Sequence, residues 1–377
     1  MTLLRTYKTL PLEIARGEDV WIWDTAGKRY LDLYAGHAVC STGHCHPYVV
    51  RAVQEQAARL LFYSNVAALP LREEAARLLL RHAPGFAAVL FANSGAEANE
   101  NALKMARRHT GRPDVVAFEG GFHGRTAGAV SVTGIEKYRR QAEPLVSGVS
   151  FVPFGTVPKL TERTAAVILE PIQSMAGVRT APPEFFRGLR EACTKNGTLL
   201  IYDEVQTGIG RTGTMFFAGR HGVTPDLVTL AKGIASGIPL SAVLVSPAVA
   251  ERVGYGEYGA TFGAGPIAMA AMKATLEVVE GLLPNVVEVG RYLAKRLEHT
   301  PGVREVRGLG FLLGVKTDRD AAALQGRLLE RGFIVGTADE PGVLRLLPPL
   351  TLTHVQVDSF IKALADELQG KVVHQHA

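Results

Sequence analysis

The sequence predicts an α/β protein, with a large unit built on a mostly parallel sheet and a smaller α+β unit drawn from both chain ends. Two observations predict it. From about residue 85, short apolar runs alternate with longer amphipathic stretches, the pattern of buried strands joined by crossover helices. Beyond about residue 266 that alternation gives way to one long helical stretch followed by paired short strands and two more helices.

In chain order, residues 1–48 carry two short strand-like runs, VWIWD (20–24) and RYLDLYAG (29–36), about a turn at Ala26 and Gly27. This segment is expected to pack against the C-terminal part. The large unit is read as 49–265. Its apolar runs are AAVLFA (87–92), VVAF (115–118), AAVILE (165–170), TLLIYDE (198–204), LVTLA (227–231) and AVLVS (242–246). Helix-like stretches lie between several of them, among them GAEANENALKMARRH (95–109) and PEFFRGLREACTKNG (183–197), the second stopping on Gly197. The third unit, 266–377, holds a helical pattern over 266–299. The strands VREVRG and FLLGVK follow around Gly308 and Gly310, then a helix over 320–331, a strand near LRLLP and a last helix over 354–369. No internal repeat or low-complexity segment is present.

Composition narrows the function classes. With 47% hydrophobic and 20% charged residues in 377, the chain reads as an ordinary soluble protein. No run of about 18 apolar residues suggests a membrane span, and the N-terminal stretch lacks the features of a secretory signal. The three cysteines cannot form a paired framework, which fits a reducing cytoplasm. The net charge of +5 is spread along the chain, with no basic run interleaved with aromatics, so nucleic acid is not an expected partner. A mild positive excess does suit a site for phosphate and carboxylates. His37, Cys40, His44, Cys45 and His46 are dense in sequence, but their spacing matches no standard zinc pattern, and no metal is expected.

Parallel α/β sheets gather ligand groups at the carboxyl ends of their strands. After AAVLFA, Ser94, Gly95 and Ala96 open a helix whose free N–H groups could hold an anion; taken alone, Ser94 reads more readily as an N-cap, with Glu97 completing a capping box. After VVAF, glycines flank Phe122, His123 and Arg125, offering an aromatic face and a guanidinium fork for a carboxylate. TLLIYDE ends on Asp203, an acid emerging from an apolar strand. LVTLA leads directly into Lys232, where desolvation favours the neutral, nucleophilic amine. A phosphate cradle, a stacking ring, an acid for a pyridine nitrogen and an amine for an aldehyde are together what pyridoxal phosphate requires.

On these residues the chain resembles the class III, ornithine-type aminotransferases. The carrying motifs are SGAEANE (94–100), FHGRT (122–126), DEVQTG (203–208) with GRTG (210–213), LAKG (230–233), TFG (261–263), GHCHP (43–47) and Arg345. The resemblance spans nearly the whole chain. It implies the type I fold of pyridoxal-phosphate transferases, with a mostly parallel seven-stranded sheet, and a homodimer with shared active sites. It implies that Gly95 and Ala96 hold the cofactor phosphate beside Ser94, that Phe122 and Val205 cover the two ring faces, and that Gln206 reaches the phenolic oxygen. Asp203 would pair with the pyridinium nitrogen and Lys232 would be the Schiff-base lysine and proton shuttle. Thr261 would reach the phosphate in the neighbouring subunit. Arg125 would bind the substrate's distal carboxylate and Arg345 the α-carboxylate of glutamate or 2-oxoglutarate.

The chain departs from the family at three substrate-side positions. QSMAG (173–177) stands where a glutamate usually occupies the place of Met175, so the partner that masks the second arginine is missing. Ala260 stands where a Ser or Thr near the substrate is usual, and Gly265 replaces an Asn. The activity implied is transfer of an ω-amino group from N-acetylornithine, or a similar N-acylated diamino acid, to 2-oxoglutarate, as in arginine or lysine biosynthesis. A 4-aminobutyrate or other ω-amino acid transaminase, or one with altered substrate, is the alternative. A fold retained for binding alone would have no use for Lys232 and Asp203, and a nucleotide-dependent oxidoreductase would need a glycine fingerprint that is absent.

Overall fold

The computed structural model describes residue 4 and residues 6–370. Its centre is a seven-stranded sheet in the spatial order Ala88–Ala92, Ser241–Val245, Leu227–Leu230, Leu199–Asp203, Thr164–Leu169, Asp114–Phe118 and Val149–Val152. Neighbours run parallel except along Ser241–Val245, which is antiparallel to both strands beside it. Six of these strands coincide with the apolar runs. The seventh, Val149–Val152, lies at the sheet edge and is only partly buried, so its sequence carries a weaker apolar signal.

Both faces of the sheet are covered. Along Thr164–Leu169, Ala166 and Ile168 join one core, while Val167 and Leu169 join the other. Residues alternate between faces with period two, and burial on both sides is why the strand reads as an unbroken apolar run. Helix Gly95–Thr110 lies on the first face through Ala98, Ala102 and Ala106, small residues spaced one turn apart that let it come close. Helix Pro183–Asn196 buries Phe186, Leu189 and Cys193 on the other face. It stops at Gly197, whose φ of 65° places it in the left-handed region.

The chain ends meet in space. Strands Ile14–Glu18, Trp21–Asp24 and Arg29–Asp32 form an antiparallel meander, and Phe333–Ile334 adds to it alongside Arg29–Asp32. A second small sheet joins Val303–Leu309, Leu312–Thr317, Val343–Leu346 and Gly336–Thr337. The helix Pro266–Glu298 bridges this part to the large sheet, and its Gly290 packs against the hairpin turn at Gly310. Gly310 has φ of +60°, and a Cβ there would come within 2.7 Å of the Arg211 carbonyl. Helix, turn and Arg211 loop therefore converge where only glycine fits.

Two substitutions separate conformation from packing at such a position. Gly111→Ala places a side chain at φ +68° with nothing within 4 Å, and the left-handed region costs it about 1–2 kcal/mol. Gly310→Ala adds the clash with the Arg211 carbonyl, about 1–3 kcal/mol of overpacking. Thermal unfolding of the two variants side by side should give Gly310→Ala the larger fall in midpoint; equal falls would contradict the packing argument.

Candidate active site

A cavity of about 310 Å³ opens at the carboxyl ends of the parallel strands and is lined by Ser94, Gly95, Ala96, Phe122, Asp203, Val205, Gln206 and Lys232. At one end lies the start of helix Gly95–Thr110. Ser94 caps it, its Oγ accepting the Glu97 N–H at 3.2 Å, while the Glu97 carboxylate accepts the Ser94 N–H at 3.1 Å. The Ala98 N–H bonds to the Ser94 carbonyl. Gly95 and Ala96 are therefore the first-turn donors that the cap leaves over, at the positive end of the helix dipole. The cap and the anion site are compatible readings of Ser94. A Cβ on Gly95 would press on both Val205 methyls at 3.0 Å, and one on Gly124, at φ +137°, would meet Ala96 at 2.7 Å. These glycines keep the floor of the cavity open.

Asp203 ends its strand 3% exposed and fully engaged. Its Oδ2 accepts from Asn99 Nδ2 at 2.7 Å and faces His123 Nδ1 at 2.8 Å, and its Oδ1 accepts the Val205 N–H at 3.0 Å. Asn99 is itself fixed, accepting from the Thr229 hydroxyl at 2.7 Å and donating to the His123 carbonyl. These bonds fix the carboxylate in place and aim it. Beside it Glu170, also buried, accepts the Phe122 N–H at 2.8 Å. Burial and the neighbouring Asp203 charge push the Glu170 carboxyl up, to about 7.

Lys232 follows strand Leu227–Leu230 in a left-handed conformation, φ +44°. Burial and the Arg345 charge lower its ammonium pKa, opposed by Asp203 and Glu170. The result is an amine closer to its neutral, nucleophilic form than a surface lysine.

The two arginines differ. Arg125 is exposed and lies over the Tyr138 and Tyr7 rings at 5.4 and 5.1 Å. Arg345, on strand Val343–Leu346, is 2% exposed. Its Nε donates to the Thr337 carbonyl at 2.7 Å, Nη1 to Ser174 Oγ at 3.1 Å and Nη2 to Tyr34 Oη at 2.7 Å. The Met175 carbonyl accepts the Asp339 N–H at 2.9 Å, which ties its loop to the segment before the Arg345 strand. Tyr34 leads into a left-handed turn, with φ positive at Ala35, Gly36, His37 and Ala38 in succession. Asp32 Oδ1 accepts the Tyr34 and Ala35 N–H groups at 2.8 and 2.9 Å, and Asp32 Oδ2 holds His44 Nε2 at 2.8 Å.

Most residues that the sequence marked thus surround one cavity. Arg125, Arg345, Thr261 and Ala260 are not among its lining residues, and Thr261 and Ala260 sit on a partly exposed tip where Asn65 Nδ2 donates to the Ala260 and Gly263 carbonyls. Of the histidine and cysteine cluster, His44 is spent on Asp32 and His46 caps helix Pro47–Arg59. Sequence reading missed Asn99, Glu170, Ser174 and Tyr34. Glu170 carried a signal, since it ends an apolar run as Asp203 does; the other three are polar residues whose importance comes from what the fold sets against them.

A sheet of this order with a lysine, a buried acid and a helix-borne anion site at its carboxyl edge defines a group-transfer enzyme of the pyridoxal-phosphate kind. The aminotransferase class-III family matches residues 3–368, and the chain belongs to that family and is an aminotransferase. It is 43% identical to the acetylornithine aminotransferase of Archaeoglobus fulgidus over 96% of this chain and 97% of that one. It is 44% identical to that of Methanopyrus kandleri, covering 97% of each. Among solved structures, the ornithine aminotransferase of Toxoplasma gondii crystallized with oxidized glutathione, with partial occupancy of PLP at its active site, superposes with a TM-score of 0.91 at 29% identity, over 98% of this chain and 92% of that one.

The His44–Asp32 pair gives a pH signature. Burial disfavours the imidazolium, but the bonds to Asp32 and Cys40 outweigh it and push the His44 pKa up to about 10. The unfolded value is about 6.5. A raised folded pKa contributes stability that is fully present below the unfolded value and lost as pH rises through the folded one. Urea midpoints of the wild-type protein should fall between about pH 6.5 and 10, and His44→Gln should flatten that slope; identical slopes would refute the pairing.

Proposed function

We propose that the chain is a pyridoxal-phosphate enzyme that moves the ω-amino group of N-acetylornithine, or a similar N-acylated diamino acid, to 2-oxoglutarate, giving glutamate and a semialdehyde. The observation that carries the cofactor reading is the fit of the cavity. Gly95 and Ala96 leave backbone donors for a phosphate, Gln206 lines the cavity, and Asp203 is aimed by Asn99 and His123. Bound there, the cofactor would supply an electron sink for the amino group's carbon.

The residues take these roles. Gly95, Ala96 and Ser94 hold the phosphate, and Thr261 of a second copy completes it, so the working form is a homodimer. Phe122 and Val205 would enclose its ring, Gln206 would donate to its oxygen, and Asp203 would hold a proton at its ring nitrogen. Lys232 would anchor its aldehyde end and move a proton at Nζ. Arg125 takes the donor's carboxylate and Arg345 the α-carboxylate of the oxo acid, with Ala260 near the donor's acyl group. The chain divides into 1–48 and 266–377 as the small domain and 49–265 as the large one. The identity to acetylornithine aminotransferases over nearly the full length supports this donor over 4-aminobutyrate.

Two measurements test the reading. Purified protein with N-acetylornithine and 2-oxoglutarate should form glutamate faster than with 4-aminobutyrate as donor, and no glutamate from the first would sink the proposed substrate. Lys232→Ala should lose the near-visible absorbance of lysine-bound cofactor and at least about 10³-fold in turnover, the loss of a covalent and proton-transfer group together; a variant that keeps both would remove Lys232 from the chemistry.

A further inference from the structure

Arg345 is a buried guanidinium with no counter-charge in contact among the described residues. Each of its contacts is neutral: the Thr337 carbonyl, Ser174 Oγ and Tyr34 Oη. A buried charge is ordinarily paired, because desolvation costs several kcal/mol per ion. Here the acid is replaced by hydroxyls, and the more elaborate support surrounds Tyr34.

The Tyr34 hydroxyl accepts from Arg345 Nη2, so its own proton is free to donate to His37 Nδ1 at 3.0 Å. That direction needs a neutral imidazole carrying its proton on Nε2. Desolvation and the charges of Arg345, Lys232 and Arg125 lower the pKa of the surface-exposed His37, to about 3. Burial likewise pushes the Tyr34 phenol up, so it keeps its proton. The hydrogen-bond chain from the Arg345 cation through Tyr34 to His37 is therefore directional, with a neutral acceptor at each step.

The backbone around it is strained. Ala35, His37 and Ala38 lie at φ of 47°, 76° and 63°, and non-glycine residues in that region cost on the order of 1–3 kcal/mol each. Asp32 caps the turn from below, and the Tyr34 ring lies so close over Gly336 that a Cβ there would collide with it. A turn held in this way fixes where the Tyr34 hydroxyl points.

We propose that Tyr34 is a specificity-determining residue: it occupies Arg345 with a neutral hydroxyl while an ω-amine donor is bound and gives it up to the carboxylate of a dicarboxylate substrate. A carboxylate forms charge-assisted, bidentate bonds roughly twice as strong as neutral ones, so it displaces the Tyr34 and Ser174 hydroxyls. A donor that brings no carboxylate to this end leaves them in place, and Nε, Nη1 and Nη2 each keep one partner. The inference rests on the proposed ω-amine reading for its donor half only.

The test compares the holoenzyme with Tyr34→Phe and Ser174→Ala. Calorimetric binding of glutarate, an inert dicarboxylate, is read beside the concentration of N-acetylornithine that half-saturates the change in cofactor absorbance. Tyr34→Phe removes the hydroxyl that glutarate must displace and leaves Nη2 unpaired when the donor is bound. Glutarate should bind about tenfold tighter and N-acetylornithine about tenfold weaker, the effect of one hydrogen bond to a charged group. A merely structural role would weaken both, and weakened or unchanged glutarate binding overturns the proposal. Tightened glutarate binding in a protein whose wild type never reacts with N-acetylornithine would uphold the Tyr34 assignment and reject the donor. Ser174→Ala frees Nη1 and leaves the ring packed; it should tighten glutarate as well, and it carries the test if Tyr34→Phe does not fold.

Discussion

A carboxylate taken out of water at the end of a central strand has to find its donors in the protein, and for Asp203 those donors come from separate stretches of chain. Asn99 arrives on the helix after the first strand, His123 on the glycine-rich loop after the next, and Val205 from the turn beyond Asp203 itself. Thr229, on the neighbouring strand, fixes Asn99. Hydrogen bonds to a buried charge contribute about 1.5–3 kcal/mol each, and losing one leaves the desolvation uncompensated. Satisfying this one acid therefore fixes the register of three strand ends and the helix start that carries Gly95 and Ala96. The cavity is the space those constraints leave.

Around that fixed floor the substrate side is built differently. Its charged groups are held by neutral partners: Arg345 by hydroxyls and a carbonyl, Arg125 by tyrosine rings. A rigid, ion-paired arginine would have to break a strong bond for each incoming carboxylate. Neutral partners lower that barrier, at the cost of a turn held in the left-handed region around His37. Asp203 thus has its hydrogen bonds satisfied in advance, whereas the two arginines, in their proposed roles, keep neutral partners until a carboxylate arrives.

Much of this was legible before any coordinates. Strands buried on both faces, such as Thr164–Leu169, announce themselves as unbroken apolar runs, and the polar residues directly after them, Asp203 and Lys232, marked the catalytic edge. The edge strand Val149–Val152 was not legible, because half of it faces water and its pattern resembles a loop. Met175 drew attention as a missing acid, yet the consequence lay with Tyr34, some 140 residues earlier in the chain and unremarkable in sequence. No local pattern could link Tyr34 with Ser174, the residue before Met175, since their common neighbour Arg345 comes from a third segment.

The sequence by itself determined the layered α/β core, the order of its strands' chemistry and the amine, acid and anion-binding groups at one edge. It could do so because burial and helix capping are local or periodic demands that leave their mark within a few residues of each element. Only the tertiary structure decided that Asn99 and His123 share one carboxylate, that Glu170 stands beside it, and that a tyrosine and a serine stand against Arg345 where an acid might have been. Those contacts join segments scores of residues apart, and a buried charge chooses its partners by distance in space.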